Sequence, residues 1–154
     1  MSSLFFDSSA LVKRYLLERG SGWTVVLLDP PRGHAIFTAS ITRVEVAAAI
    51  ASRHRSGAIA QEERDTLINL LLKHCDVQYQ QTAIEAPVLG RAVSLTRSYR
   101  LRGYDAVQLA AALTLNDALV GAALPSLTMI SADDDLNAAA QAEGLAADTP
   151  NAHP

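Results

Sequence analysis

The chain has 154 residues and a net charge of −3, with 49% hydrophobic and 19% charged residues. This length allows one sizeable core, and the composition excludes a disordered chain. No stretch reaches the roughly 18 apolar residues of a membrane helix, and the N-terminus lacks the features of a secretion signal. The single cysteine, Cys75, excludes an internal disulfide, so we expect a cytoplasmic protein in a reducing compartment.

Short apolar runs alternate with helical patterns along the whole chain. The predicted elements are a strand over residues 4–6, a helix over 8–20, a strand over 34–40, helices over 41–57 and 61–75, a short strand over 76–81, helices over 83–101 and 105–121, a strand over 127–131, a helix over 134–144 and an edge strand over 145–148. Residues 20–31 suit either a helix or a strand.

This alternation predicts an α/β fold with a central parallel sheet of about four to five short strands flanked by helices. We find no internal repeat, low-complexity tract or linker in the sequence. The sequence therefore predicts one domain over residues 1–148. The last residues, 149–154, are expected to form a flexible C-terminal tail.

Acidic residues recur where a strand or a break in the pattern gives way to a helix. Asp7 follows the first strand, Asp105 follows a break before an alanine-rich helix, and Asp133 follows a late strand. Glu45 lies in the first turns of the helix after the second strand. Because the carboxyl ends of parallel strands line one edge of a sheet, where ligands bind, we expect the four acids to converge.

Each acid also has a purely structural interpretation. The spacings fit helix-start positions at Asp7 and Asp133 and capping boxes at Thr42–Glu45 and Asp105–Gln108. Glu45 fits least well, since it shares a helical face with Ile41 and Ala48, where an unpaired charge is costly. Clustered carboxylates require bound metal ions or raised pKa values, and oxygen donors without cysteine favour Mg²⁺ or Mn²⁺.

Four segments, in this order, resemble the motifs of PIN-domain proteins. They are LFFDSSALVKRYL with Asp7, ITRVEVAAAI with Glu45, LRGYDAVQLAAAL with Asp105 and TMISADDDLNAAA with Asp133. Each segment alone is a weak signal, but the ordered set is specific and extends from Leu4 to about Ala147. In size, the chain is most similar to the VapC-type toxins of type II toxin–antitoxin modules.

The resemblance implies a PIN-like fold and a Mg²⁺- or Mn²⁺-dependent ribonuclease. It further implies a homodimer that a small VapB-type antitoxin inhibits at the active site. The four acids would be catalytic metal ligands, and metal-activated water would attack the RNA phosphodiester. Ser8 and Ser131 would be supporting hydroxyls. Asp134 or Asp135 could share the role of Asp133, and the sequence leaves open whether one or two ions bind.

Basic residues near these motifs are candidate contacts to RNA phosphates. Arg102 lies three positions before Asp105 and is the contact that we favour. Lys13, on the first predicted helix, and Arg43, beside Glu45, fit a phosphate contact and a solvated helix face equally well.

Two other catalytic mechanisms and one non-catalytic function fit the sequence less well. Histidine catalysis would require the four histidines to gather, and none of them stands at an equivalent strand end: His34, His54, His74 and His153. Phosphatases with an aspartyl intermediate usually have a second Asp two residues after the first, where this chain has Ser9. The remaining alternative is a non-catalytic PIN-like module that binds RNA or protein, but none of the four acids is missing.

Overall fold

A computed structural model describes all 154 residues. Its five strands are β1 (Ser3–Phe6), β2 (Ala35–Ala39), β3 (Tyr79–Thr82), β4 (Leu127–Ile130) and β5 (Ala146–Asp148). They form one sheet in the order β3-β2-β1-β4-β5, and all neighbouring strands are parallel. The predicted parallel sheet is confirmed, with its most apolar strands in the centre.

The helices are α1 (Ser8–Leu11), α2 (Ser21–Leu27), α3 (Thr42–Arg55), α4 (Gln61–Val77), α5 (Ala86–Ser98), α6 (Gly103–Gly121) and α7 (Asp134–Ala142). Pro87 lies in the first turn of α5, where a missing amide proton costs no hydrogen bond. None of these helices combines the length and apolarity that a membrane crossing requires.

Two hydrophobic clusters cover the two faces of the sheet. Phe5 belongs to the cluster with α5, α6 and α7, whereas Leu4 and Phe6 belong to the cluster with α1, α3 and α4. This division follows from the strand itself, because successive side chains point to opposite faces. The helices therefore enclose the sheet and leave its two ends open, and one of these ends carries the acids.

The helix predicted over residues 8–20 is wrong in its length. α1 covers one turn, and a 3-10 turn over Val12–Arg14 ends the helical stretch. Lys13 is buried and its Nζ lies 3.2 Å from an oxygen of Glu18, a separation of five residues that does not match the i+3 or i+4 spacing of a helix face. Gly20 precedes the next helix, α2, which covers Ser21–Leu27 of the ambiguous segment, and a 3-10 turn over Pro30–Arg32 follows it, so the segment contains no strand.

The C-terminal residues are packed, in contrast to the flexible tail that the sequence predicts. A 3-10 turn over Pro150–Ala152 buries Pro150 against Gly20. The ring of His153 stacks on Trp23 with 4.3 Å between centroids. These contacts join segments more than a hundred positions apart, so local sequence patterns contain no sign of them.

Candidate active site

The carboxyl end of the sheet carries a cavity of about 480 Å³. Its lining consists of the four predicted acids, two serines and four residues with apolar surface, namely Asp7, Glu45, Asp105, Asp133, Ser8, Ser9, Val12, Ile41, Ala49 and Tyr104. Asp7 directly follows β1, and Asp133 follows β4, the neighbouring strand. The parallel order of the strands thus brings together acids that are far apart in sequence.

Asp7 is the most enclosed of the four acids, with 2% of its surface exposed. Its Oδ1 accepts a hydrogen bond from the amide of Ala10 at 3.0 Å, so the predicted helix cap is confirmed. The hydroxyl of Ser9 lies 2.8 and 2.9 Å from the two carboxylate oxygens, and the hydroxyl of Ser131 donates to Oδ2 at 2.7 Å. Asp7 is therefore held rigidly from three sides.

The two serines also connect Asp7 to the loop between β4 and α7. Ser9 Oγ accepts the amide of Ala132 at 2.9 Å, and Ser131 Oγ accepts the amide of Asp133 at 3.0 Å. Asp133 in turn caps α7, since its Oδ1 accepts the amide of Leu136 at 2.9 Å. The positions of the first and fourth acids are thus coupled through two hydroxyl groups.

Glu45 is oriented by side chains from two other helices. Ser8 donates a hydrogen bond to Oε2, and Gln108 Nε2 donates to Oε1 at 3.2 Å. Gln108 also donates to Thr42 Oγ1 at 3.0 Å. Both capping-box interpretations are wrong, because neither α3 nor α6 has a side-chain cap and Thr42 and Gln108 hydrogen-bond to each other instead.

The enclosure of the acids raises the pKa of two of them. Burial raises the pKa of Asp7 to about 6, against the lowering effect of the hydrogen bonds from Ser131, Ser9 and Ala10. Burial, followed by the negative charge of Asp133, raises the pKa of Asp105 to about 6, although Arg102 opposes the shift. No basic residue lines the cavity to neutralise these charges.

The donors of this cavity suit a hard divalent cation. All of its polar side chains offer oxygen, the ligand atom of Mg²⁺ and Mn²⁺. The acids are not gathered into a closed ligand set, since no group of three or more possible ligands could hold a metal ion as arranged. Mg²⁺ commonly binds through one or two carboxylates and keeps several waters, so an open arrangement is compatible with it.

The basic residues predicted to contact phosphate do not all lie near the acids. Lys13 is 6% exposed and bound to Glu18, and Arg43 donates from Nε to Gln81 at 2.9 Å. Neither lines the cavity of the acids, so the structure gives no support to these two contacts. Arg102 does lie beside the acids, in an adjoining cavity of about 250 Å³.

Of the two other acids in the DDD segment, only Asp135 lies near the site. The adjoining cavity is lined by Arg100, Leu101, Arg102, Asp105, Asp133 and Asp135. Asp134 is exposed and lines neither cavity. Asp133 is the member of this segment that faces the other three predicted acids.

None of the four histidines lines either cavity. His74 Nδ1 lies 2.7 Å from the hydroxyl of Tyr15, and burial lowers the pKa of His74 to about 4. His153 packs on Trp23. None of them is placed to exchange a proton with a group bound at the acids.

Sequence reasoning missed three residues of this site: Ser9, Gln108 and Tyr104. Ser9 is the second hydroxyl of the DSS segment, and only the structure identifies it as the partner of Asp7. Gln108 follows Asp105 by one helical turn, a spacing that could have indicated a shared face as well as a cap. Tyr104 precedes Asp105 and carries no periodic signal.

Comparisons with known proteins identify relatives over nearly the whole chain, although no family model matches it. Ribonuclease VapC45 and Ribonuclease VapC49 of Mycobacterium tuberculosis are each 31% identical over 149 residues, which cover 94% of this chain and 93% of the relative. A toxin–antitoxin complex from Klebsiella pneumoniae has the same fold, with a TM-score of 0.58 and 22% identity over 96% of this chain and 97% of the matched chain. By this similarity, the chain belongs to the VapC family of ribonucleases.

Proposed function

We propose that this chain is a Mg²⁺- or Mn²⁺-dependent ribonuclease and the toxin of a type II toxin–antitoxin module. One observation carries the proposal: Asp7, Glu45, Asp105 and Asp133 line one cavity that contains no basic residue. Such a site favours cations at neutral pH, and it belongs to a chain whose relatives are named ribonucleases.

Asp7 and Asp105 would hold the metal ion, with Glu45 and Asp133 as further or water-bridged ligands. When bound, the ion supplies a water of lowered pKa and offsets the charge that develops on the phosphate. The protein contributes fixed positions for these acids. Ser9 and Ser131 hold the carboxylate of Asp7, the latter at 2.7 Å, while Gln108 directs Glu45 towards the cavity.

Phosphate binding would fall mainly to Arg102. Its guanidinium lies beside Asp105 and Asp133 in the adjoining cavity and is exposed to solvent. A cation beside a carboxylate site attracts the phosphodiester to a surface that would otherwise repel it. Because Arg102 makes no ion pair with these acids, its charge is available to RNA.

An antitoxin of the VapB type would bind this chain and block the cavity. The structural neighbour from Klebsiella pneumoniae is a toxin–antitoxin complex, which supports a partner of this kind. The proposed homodimer rests on the resemblance to the family. A cytoplasmic location agrees with the single buried thiol, Cys75.

The test is cleavage of a panel of structured RNAs by the purified chain, free of antitoxin, in Mg²⁺, Mn²⁺ or EDTA. We expect cleavage that needs the metal and leaves 5′-phosphate ends. Asp7→Asn should lose it by about a hundredfold or more, because removal of the charge weakens metal binding. Asp134→Asn is the matched control, since Asp134 is exposed and lies outside both cavities.

Activity that persists in EDTA, or in Asp7→Asn, would refute the metal mechanism. RNA binding that needs no metal and leads to no cleavage would instead support a non-catalytic PIN-like module that binds RNA or protein. Equal loss in Asp134→Asn would show that the assay reports general disturbance of the fold rather than this site.

A further inference from the structure

The loop between β4 and α7, which carries the fourth acid, has a hydrogen-bond partner for each of its backbone amides. The amide of Ser131 donates to the carbonyl of Asp148, the last residue of β5, at 3.2 Å. The next two amides donate to the hydroxyls of Ser9 and Ser131 at 2.9 and 3.0 Å. These partners belong to the sheet or to the site, so the amides of the loop are held from within the site itself.

The carbonyl groups of the loop are bonded as well, and one of their partners comes from outside the site. The carbonyls of Ser131 and Asp133 accept the side chain and the amide of Asn137, on α7, at 2.8 and 3.0 Å. The carbonyl of Ala132 accepts Nδ2 of Asn151 at 3.3 Å. Asn151 lies in the C-terminal 3-10 turn and lines neither cavity. The peptide group directly before Asp133 is therefore held by the last residues of the chain.

The C-terminal turn is anchored by contacts that do not involve the acids of the cavity. Pro150 packs so closely on Gly20 that no Cβ atom fits at this glycine. The ring of His153 stacks on Trp23 with 4.3 Å between centroids and 7° between planes, and its Nε2 lies 3.1 Å from an oxygen of Asp148. The turn thus has a fixed position of its own, to which a side chain can attach the loop.

We propose that Asn151 is a positioning residue, through which the C-terminal turn fixes the peptide group before Asp133. The inference deepens the proposed function and rests on it. The Asp133 side chain branches from the residue that follows this peptide group, so a rotation of the peptide group would move the carboxylate. Without Asn151 the Ala132 carbonyl has no donor in the protein, and the peptide group can turn towards water. Groups that orient a metal ligand contribute to metal affinity without contact to the ion.

The experiment measures the affinity of the full chain for Mn²⁺ by calorimetry and, separately, kcat for RNA cleavage over a range of Mn²⁺ concentrations. Asn151→Ala should weaken Mn²⁺ binding by about fivefold, the factor that one hydrogen bond of ordinary strength allows. At subsaturating Mn²⁺, kcat should fall by a similar factor. Saturating Mn²⁺ should restore most of kcat, which it could not do if the variant were merely misfolded.

Asn116→Ala is the matched control for Asn151→Ala. Both asparagines are half-buried, and Asn116 Oδ1 accepts the amide of Leu127 at 2.8 Å and the hydroxyl of Ser126 at 3.0 Å. Leu127 is the first residue of β4, at the opposite end of the strand from the acids. Asn116→Ala removes two hydrogen bonds instead of one, so it should lower Tm at least as much as Asn151→Ala. It should leave the affinity for Mn²⁺ unchanged.

His153→Ala tests whether the turn as a whole, through Asn151, determines the position of the loop. Loss of the stacking on Trp23 frees the turn, so Mn²⁺ binding should weaken by about twofold where Asn151 is present. Combined with Asn151→Ala, the same substitution should weaken binding no further, because the link between turn and loop is already broken. Such non-additivity is the sign of two residues that act through one connection.

The proposal is wrong if Asn151→Ala binds Mn²⁺ as tightly as the wild type does. It is equally wrong if Asn116→Ala loses as much affinity, since general destabilisation would then explain the effect, or if the losses in His153→Ala and Asn151→Ala add in full. In each of these cases a wild type that binds Mn²⁺ and cleaves RNA keeps the proposed function. If the wild type binds no Mn²⁺ and cleaves no RNA, the proposed function is lost and this inference with it.

Discussion

Two features of the Asp7 environment act in opposite directions on the ionisation of its carboxyl group. As the cap of α1 it accepts the amide of Ala10, which favours the ionised carboxylate. As a buried group it has its pKa raised to about 6, so burial favours the neutral acid. The hydroxyls of Ser9 and Ser131 reduce this conflict, because both donate to the carboxylate. A cation bound in the cavity would therefore stabilise the ionised form of this buried carboxylate.

Gln108 does not line the cavity, but its replacement should disturb the position of Glu45, which does. It is 1% exposed, and its amide donates to Glu45 and to Thr42. Gln108→Leu keeps the volume but leaves the Thr42 hydroxyl without this partner, which should cost about 1–3 kcal/mol of unfolding free energy. We expect kcat/KM for RNA to fall by about tenfold, because Glu45 loses its orientation.

The matched control for Gln108→Leu is Gln141→Leu, since Gln141 is exposed on α7. Urea unfolding gives the stability change, and Mn²⁺ titration followed by calorimetry gives the metal affinity. A variant that folds, binds Mn²⁺ and cleaves RNA as the wild type does would rule out an orienting role for Gln108.

At the scale of elements, most of the fold could be predicted because its elements carry strong local patterns. The central strands are short apolar runs, and α6 contains an uninterrupted run of good helix formers over residues 108–113. The start of α1 could be predicted but its end could not, because the chain passes from Leu11 into the 3-10 turn over Val12–Arg14 without a helix breaker. The packing of Pro150 on Gly20 is likewise a contact between distant segments.

Gly20 should be the least replaceable glycine of the chain. Its φ is 82°, and a Cβ atom there would lie 2.2 Å from the carbonyl oxygen of Pro150. Gly20→Ala should therefore lower the free energy of unfolding by about 3 kcal/mol, the sum of backbone strain and a steric clash. Gly57→Ala is the matched control, since Gly57 has the same φ of 82° but open space around it, and should cost about 1 kcal/mol. If urea unfolding gave both variants the same loss of unfolding free energy, the C-terminal turn would have moved away from the new Cβ atom without an energetic penalty.

For the molecule as a whole, the sequence predicts the four acids and two supporting hydroxyls, Ser8 and Ser131, but not the hydrogen bonds that Ser9 and Gln108 make. A parallel sheet gathers whatever follows its strands at one edge, so Asp7 and Asp133 could be paired without knowledge of any contact. The hydrogen bond from Gln108 to Thr42 joins residues 66 positions apart on two helices. Its existence depends on how α3 and α6 are oriented, which no local pattern specifies.

The burial of two of these acids makes the stability of the fold depend on pH. Asp7 and Asp105 have folded-state pKa values of about 6, above the ordinary value of about 3.9 that they regain on unfolding. Between these values the folded chain binds more protons than the unfolded chain, so their contribution to stability falls as pH rises. The loss is half complete near pH 6 and nearly complete by about pH 7, where both groups are ionised in either state.

We therefore expect Mg²⁺ to stabilise the chain more at pH 7 than at pH 5. At pH 7 the ion meets ionised carboxylates and should raise Tm by about 5 °C at saturation, whereas at pH 5 bound protons compete with it. Thermal unfolding in EDTA and in Mg²⁺ at the two pH values measures the difference. Asp7→Asn should lose most of the Mg²⁺ effect and Asp134→Asn should retain it, because Asp134 lies outside the cavity. An equal rise at both pH values, or one that survives Asp7→Asn, would place the ion elsewhere on the protein.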